Sequence, residues 1–457
     1  MKKYLLSAVS AGVIFCGCTN VSYDYAGQTA AVNWGCWKDK EIKFKTDNKT
    51  TPEKQKAKVD YFLNCVQKFA PYMLEEFRAV DKALNWQPGT AAKLCVLGVD
   101  YKQTPPPHEC TSWIVMPDIS ASNQLILHKN RDSSSRHISA IRHSVPGKYS
   151  WIGNGNFGNF GTSSGMNEKA VAVVMNSGPR SAGKSPMGMG TTIIARVLLE
   201  QSGTAAEAVE LLEKIVKAKA YSHGNSGSIW FIADRKQAFV AEHDAVCFQV
   251  REVNSGLAIR ANAWHYPETT VFSENTPSQI VGNARREYAV RDLFVNKILA
   301  KKKKIALTDV LTASRIDKFP EDPKCYPLCG KATIVGSSFV IDREFPEELS
   351  YFVSTFGPPR HGFYIPVPLT LENFPANMRN STWSNALYVR WKGKKNPDMK
   401  KLESVESVML KNHLAAIESA RQKLRAGAAG AKCGARSLLE KSFKENMKIA
   451  EEKSRTL

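Results

Sequence analysis

In this 457-residue chain, chemistry is suggested first by Cys110-Thr111-Ser112, followed about twenty residues later by Asn130-Arg131-Asp132-Ser133. A thiol becomes a nucleophile once it loses its proton. Were Cys110 the first residue of a chain, it would carry a thiol and an α-amine together. An α-amine titrates near about 8, so it would accept the thiol proton at neutral pH. Nucleophile and base would then sit on one residue. The competing reading of a single cysteine is a disulfide partner. The polar series continues further along. Gly165-Met166-Asn167-Glu168 precedes a strand-like stretch ending Asn176-Ser177-Gly178-Pro179. Asn225 lies five residues before Trp230, and Asn283-Ala284-Arg285-Arg286 opens a later helix.

The elements that must position these residues follow from periodicity. Residues 52 to 86 place Val59, Phe62, Leu63, Val66 and Phe69 on one helical face, with an interruption at Pro71. Thr104-Pro-Pro-Pro-His-Glu109 is an extended, donor-poor linker ending at Cys110. Beyond it, 111–116, 125–128, 170–175, 228–233, 238–242, 257–261, 335–342 and 349–353 read as strands. Helices are expected over 191–199, 204–216 and 279–299, the second capped by Thr204 with Glu207 three residues on. Gly153-Asn-Gly-Asn-Phe-Gly158 spells a dinucleotide fingerprint, but Asn159-Phe-Gly-Thr-Ser-Ser-Gly165 cannot open the helix that motif needs. Residues 153 to 165 therefore read as a flexible loop over a site. Strands, then helices, then strands argue for α+β layers and against an alternating parallel sheet.

Composition bounds the rest. Apolar residues at 43% and charged residues at 23% are globular values. Lys2 and Lys3 precede the apolar run Tyr4 to Cys16, which reads as an export signal over 1–18. Gly17 before Cys18 gives the look of a lipoprotein box with Cys18 lipidated; ordinary secretion is the other reading. An exported location permits disulfides, and Cys325 with Cys329 is a pair able to bridge a loop. His108-Glu109-Cys110 is too compact and isolated for a metal site, and zinc spacing is lacking. The formal charge is +20, and residues 390–457 hold 17 basic and 8 acidic residues on two helical patterns broken at 426–430. Such a tail either touches anionic lipid or cell-wall polymer, or is a solvated face. No aromatic interleaving or nucleic-acid motif appears, so a nucleic-acid partner is not expected.

Taken in order and spacing, Cys110-Thr-Ser, Asn130-x-Asp132, Asn176, Asn225 and Arg286 resemble the N-terminal-nucleophile amide hydrolases. These include choloylglycine hydrolase, penicillin V acylase, acid ceramidase, the acyl-CoA:6-aminopenicillanate acyltransferases and bacterial cysteine dipeptidases. The resemblance covers roughly residues 110 to 300. It implies a four-layer αββα sandwich of antiparallel sheets and autocatalytic cleavage at Glu109–Cys110. It implies that Asp132 binds the α-amine and thiol, that Asn225 donates its side-chain amide to the oxyanion, and that a backbone N–H near Asn176 is the second donor. Arg286 would orient Cys110 or act electrostatically, with Arg285 as the neighbouring candidate. The family commonly has Arg-Asn-x-Asp where this chain has Lys129-Asn130-Arg131-Asp132. Lys129 either substitutes for that arginine or the role is lost. Arg131 is expected to point the other way.

The expected organisation is a signal over 1–18, a helical prosegment over 19–109 that covers the site, an Ntn-hydrolase domain over 110–385, and a basic helical tail over 386–457. The expected activity is hydrolysis of a linear amide, or transfer of its acyl group, through a thioester on Cys110. No cofactor or metal is expected. A small-molecule amide is the expected substrate, with a membrane surface reached through the lipid anchor and tail. The alternatives are a cysteine dipeptidase of the same superfamily and an inactive surface-binding lipoprotein with Cys110 in a disulfide.

Overall fold

A computed structural model describes residues 51–97, 110–133, 137–156, 158–181, 187–224, 226–319, 326–391 and 398–456. The export signal with Cys18, the cleavage residue Glu109, and Asn225 lie outside the described residues.

Helix α1 (Pro52–Phe69) starts on a proline behind the Thr51 cap, whose side chain accepts from the Lys54 N–H. The interruption falls at Ala70–Pro71, as expected, and α2 (Tyr72–Ala83) and α3 (Thr90–Leu97) follow. Then come β1 (Thr111–Val115), β2 (Leu125–Asp132), β3 (Ile138–His143), β4 (Trp151–Asn156), β5 (Ser164–Asn167) and β6 (Ala172–Arg180). Helices α4 (Thr191–Gln201) and α5 (Ala205–Lys217) precede β7 (Ser226–Ala233), β8 (Ala238–His243), β9 (Phe248–Glu252) and β10 (Leu257–Arg260). The chain continues through α6 (Pro277–Arg291), α7 (Leu307–Ala313), β11 (Thr333–Ile341), β12 (Tyr351–Ser354) and β13 (Ile365–Pro368). It ends in α8 (Met399–Ala426) and α9 (Ala431–Thr456), separated by Gly427 in the left-handed conformation at φ 64°.

Two antiparallel sheets form, ordered β10-β1-β2-β11-β12-β13 and β9-β8-β7-β6-β5-β4-β3. Strand alternation decides which side chains meet. Ile114, Leu125, Leu127, Ala172, Val174, Phe231 and Phe339 fill the space between the sheets. Trp113, Val115, Ile126 and Val340, one residue out of phase, face α6, α7 and the C-terminal helices through Val290, Val310, Ile417 and Leu439. On the far side, Val173, Met175, Trp230 and Ile232 pack against α4 and α5, and these against Phe62, Val66, Met73 and Phe77 of α1 and α2. The result is the expected helix–sheet–sheet–helix sandwich. Each buried large apolar side chain contributes about 1.5–3 kcal/mol to holding the layers together.

Two local expectations are corrected. Residues 153–165 are not loop throughout: 153–156 and 164–165 belong to β4 and β5, which pair directly with Gly153 opposite Gly165, and the connection lies between them. A Cβ on Gly153 would meet the Ser164 carbonyl oxygen at 2.4 Å, so the glycines serve close backbone approach. In addition, β2 runs beyond His128 to Asp132, because β1 and β11 pair with it on both sides. Helices α1–α3 pack on the α4–α5 layer, not across the sheet face that carries Cys110.

Candidate active site

Cys110 stands immediately before β1, buried and with a free thiol. Register sets its surroundings. Thr111 lies opposite Asn130 and Ser112 opposite Lys129. Cys110, Ser112, Lys129 and Arg131 therefore share the inner face of this sheet with Ile114 and Leu127, facing the second sheet. Arg131 does not point away as expected. Counting in twos from Lys129 places it beside the cysteine; burial pushes the Arg131 guanidinium down and the nearby Cys110 opposes this.

Asn176 reaches in from β6 on the opposing sheet and is fully buried. Its Oδ1 accepts from Ser112 Oγ at 2.7 Å and from Lys129 Nζ at 3.1 Å. Its Nδ2 donates to the carbonyls of Arg260 and Ala261 at 3.1 and 3.2 Å. Every polar atom of this side chain is spent on holding β6 to β1 and β10, so only the Asn176 backbone is left for an oxyanion role. Lys129 Nζ also donates to the Met175 carbonyl. Burial pushes the Lys129 ammonium down, and the nearby Cys110 thiol, within hydrogen-bonding reach, pushes back.

Arg286 is the arginine of its pair that reaches the site; it is 1% exposed, whereas Arg285 is half-buried. It sits within α6, which starts at Pro277 behind a Thr276–Gln279 capping box, so the 283–286 segment lies mid-helix and does not open it. Arg286 Nη1 donates to the Cys110 carbonyl at 3.0 Å and to Thr111 Oγ1 at 3.2 Å. Nη2 donates to Asn262 Oδ1 at 3.1 Å and to Asn283 Oδ1 at 2.5 Å. This fork fixes the main chain at Cys110 and does not approach it from the thiol's face. Asn262 and Asn283 are site residues that sequence reading missed; Asn283, three positions before Arg286 on a helix, was the available signal.

On the outer face of β2, His128 bonds Ser338 Oγ at 2.7 Å and Asn130 Oδ1 at 3.0 Å, stacked on Trp113 at 4.1 Å. Burial pushes its imidazole down to about 3, so it is neutral at physiological pH. Asn130 Nδ2 donates to the carbonyls of Ser314 and Leu328 at 2.7 and 2.9 Å. Asp132 is buried at the same end of β2, and alternation places it with Asn130, opposite the thiol's face. Burial and the Asp132 charge together push the nearby Cys329 thiol up to about 12. Cys329 is a free thiol. The described neighbours of Asn225 converge on the end of β6: His223 bonds Ser177 Oγ at 3.3 Å, and Ser226 pairs with Arg180. A groove of about 860 Å³ beside Lys169, Thr204, Asp234 and Lys432 shares no lining residue with this site.

Residues 119–299 match the model of the acyl-coenzyme A:6-aminopenicillanic acid acyl-transferase family. No curated protein matches the chain. Among solved structures, it is similar to a mutant of conjugated bile acid hydrolase from Clostridium perfringens, at 14% identity over 58% of this chain and 93% of that one, with a TM-score of 0.39. Penicillin V acylase from Agrobacterium tumefaciens aligns at 15% identity over 57% and 86%, TM-score 0.36. The Caenorhabditis elegans ortholog of N-acylethanolamine-hydrolyzing acid amidase aligns at 14% over 52% and 94%, TM-score 0.33. The acyltransferase resemblance read from the sequence is matched by the family model over residues 119–299.

Proposed function

We propose that this chain, whose residues 119–299 carry the pattern of an acyltransferase family, is an autoprocessed N-terminal-cysteine amidohydrolase or acyltransferase. The observation that carries the reading is the placement of Cys110. Its free thiol lies beside Lys129 at the mouth of β1, and its carbonyl is clamped by Arg286. Cleavage of Glu109–Cys110 would free the α-amine. That amine takes the thiol proton, and the thiolate sulfur attacks the carbonyl carbon of a linear amide. The oxyanion is received by the Asn225 side-chain amide and a backbone N–H near Asn176, each donor contributing about 3 kcal/mol to the barrier. The α-ammonium, held by Asp132, returns its proton to the departing nitrogen, leaving a thioester on Cys110. Water then releases the acid, or an amine takes the acyl group. Lys129 stands in for the arginine that the resemblance leads one to expect, as a point charge on the thiol.

The dipeptidase reading needs a carboxylate to hold a free substrate amine. Among the described residues the charged groups on the thiol's face are the cations Lys129, Arg131 and Arg260, and the facing carboxylate, Glu242, is committed to Arg260, the His265 and Tyr266 N–H groups and Thr269, which favours the amidase. The binding-lipoprotein reading needs Cys110 in a disulfide, whereas it is free. We place the protein outside the cytosol, anchored through Cys18, with the basic C-terminal region facing the membrane surface. Among the described residues no helix is long and apolar enough to cross a membrane.

Intact mass and N-terminal sequencing of the purified protein test the reading. The expected product is a chain running from Cys110 to Leu457, beginning Cys-Thr-Ser-Trp, and it should be absent in Cys110→Ala. An uncut chain with an unreactive Cys110 would overturn it.

A further inference from the structure

Arg131 is a buried cation for which no ion pair or side-chain hydrogen bond is found among the described residues. It is 9% exposed, and its Nη1 is sequestered from solvent with no hydrogen-bond acceptor among the described residues. Other deeply buried arginines have bonded Nη groups, although the Arg286 Nε is likewise without an acceptor among the described residues. Arg196 is held by Glu76 and Glu200, Arg315 by Glu406, Arg260 by Glu242, and Arg286 by two asparagines and a carbonyl. Desolvating a guanidinium without an anion is costly, and a buried unsatisfied donor in an otherwise well-bonded interior needs a reason. Register places Arg131 opposite Cys110 with its side chain on the thiol's face. A planar five-donor fork is matched to a carboxylate.

The sequence supplies an independent pointer to which part of the substrate bears that carboxylate. In autoprocessing, the first acyl group that Cys110 receives is that of the residue before it, and that residue is Glu109. The acyl donor of the first reaction therefore carries a side-chain carboxylate three bonds from its α-carbon.

We propose that Arg131 is the specificity-determining residue of this site and binds a carboxylate carried on the acyl side of the amide. This rests on the amidase reading above. The acyl class is a short dicarboxylic or glutamyl-like group. An apolar fatty-acyl group would leave the Arg131 charge buried and unanswered, and is selected against. Lys129 is already committed to Asn176 and Met175, so it does not compete for the substrate anion.

Two measurements test this on the full-length, processed protein. The first needs no turnover. Iodoacetate and iodoacetamide differ in charge and little in size, and the mass of the Cys110 peptide reports each alkylation rate. The exposed thiol of Cys433 is the internal reference. In the wild type the iodoacetate-to-iodoacetamide rate ratio at Cys110 should exceed that at Cys433 by about tenfold or more, as a charge-assisted fork implies. Arg131→Gln should bring the two ratios together, and Arg131→Lys should retain part of the difference. A ratio that survives Arg131→Gln overturns the proposal while leaving the nucleophile in place. A Cys110 that neither reagent modifies overturns the amidase reading and this proposal with it.

The second compares glutaryl-p-nitroanilide, valeryl-p-nitroanilide and valeryl-4-aminobenzoate. The first carries its carboxylate on the acyl side, the second has none, and the third carries it on the amine side. The expected order of kcat/KM puts glutaryl ahead by about tenfold to a hundredfold. Arg131→Gln should collapse that ratio through KM. Preference for the aminobenzoate overturns the acyl-side assignment. An equal fall in kcat for all three in Arg131→Gln shows that Arg131 acts on the thiol, and overturns the proposal.

Discussion

If the chain is cut before Cys110 as proposed, the upstream helices would be held in place by a buried charge network. Arg196 on α4 donates to Glu76 on α2 at 2.5 Å, to Glu200 at 2.8 Å and to the Phe160 carbonyl at 3.0 Å. Glu200 also accepts from Tyr72 on α2 at 2.6 Å and from Trp151 at 3.2 Å. Burial would raise the Glu200 carboxyl, but Arg196, His143 and Tyr72 outweigh it and hold it at about 2. A carboxyl lowered from 4.5 to about 2 contributes on the order of 3 kcal/mol. That contribution is fully present above the unfolded value and is lost as pH falls from there towards about 2. Glu76→Gln removes one partner of a buried pair, which costs about 3–5 kcal/mol. If that cost falls on docking, the dissociation constant of the 51–97 helices rises by about a hundredfold to a thousandfold. In the cleaved wild type the upstream fragment should co-elute with the main chain on dilution at pH 7. In Glu76→Gln it should dissociate, and thermal unfolding should move down. A cleaved Glu76→Gln protein that holds its fragment at the same dilution and unfolds at the same temperature would refute this account of docking.

Three other outcomes are expected. Arg286→Lys should keep the charge but lose the fork spanning Cys110, Thr111, Asn262 and Asn283; kcat should fall about a hundredfold with little change in KM, read by steady-state kinetics on any turned-over amide. His413 is pushed down to about 3 by burial and has neither ring nitrogen bonded. The unfolded chain takes up a proton below about 6.5 that the folded one refuses, so stability falls as pH drops from there towards about 3. By pH 4.5 the loss is about 3 kcal/mol, and His413→Leu should flatten that part of a urea-midpoint-versus-pH curve. Gly153→Ala would push a methyl against the Ser164 oxygen and Gly165 Cα; it should lower stability by about 1–3 kcal/mol in denaturant titration and leave no soluble gain at any pH.

How far the sequence revealed the site depended on which interactions were local. Apolar alternation marked β1, β7, β8 and β11, and the Thr204 cap placed α5 correctly, its hydroxyl accepting from the Glu207 N–H at 3.2 Å. The extension of β2 through Lys129-Asn130-Arg131-Asp132 was hidden because a polar run looks like a turn. Only pairing on both edges makes it a strand, and that pairing comes from Thr333–Ile341, two hundred residues away in sequence. The expectation for Arg131 uses strand alternation, but the residue's face relative to Cys110 is set by the β1–β2 register, which is a non-local pairing. Hairpin β4–β5 was hidden for the opposite reason. Its Gly and Asn content has low strand propensity, yet the same glycines allow the backbones to approach. Choosing between Arg285 and Arg286 required the phase of α6, which Asn283 and Val290 set by being buried on the same side.

The position of β2 between β1 and β11 also governs when this chain is able to act during its own synthesis. The strand that carries Lys129 and Asp132 has one neighbour made just before it and another that emerges from the ribosome only after residue 341. Helices α8 and α9, which close the outer layer through Ile417 and Leu439, come later still. Lys129 and Asp132 are held from both sides only once β11 is in place, so the cleavage proposed above would follow the emergence of residues 333–341 and not precede it.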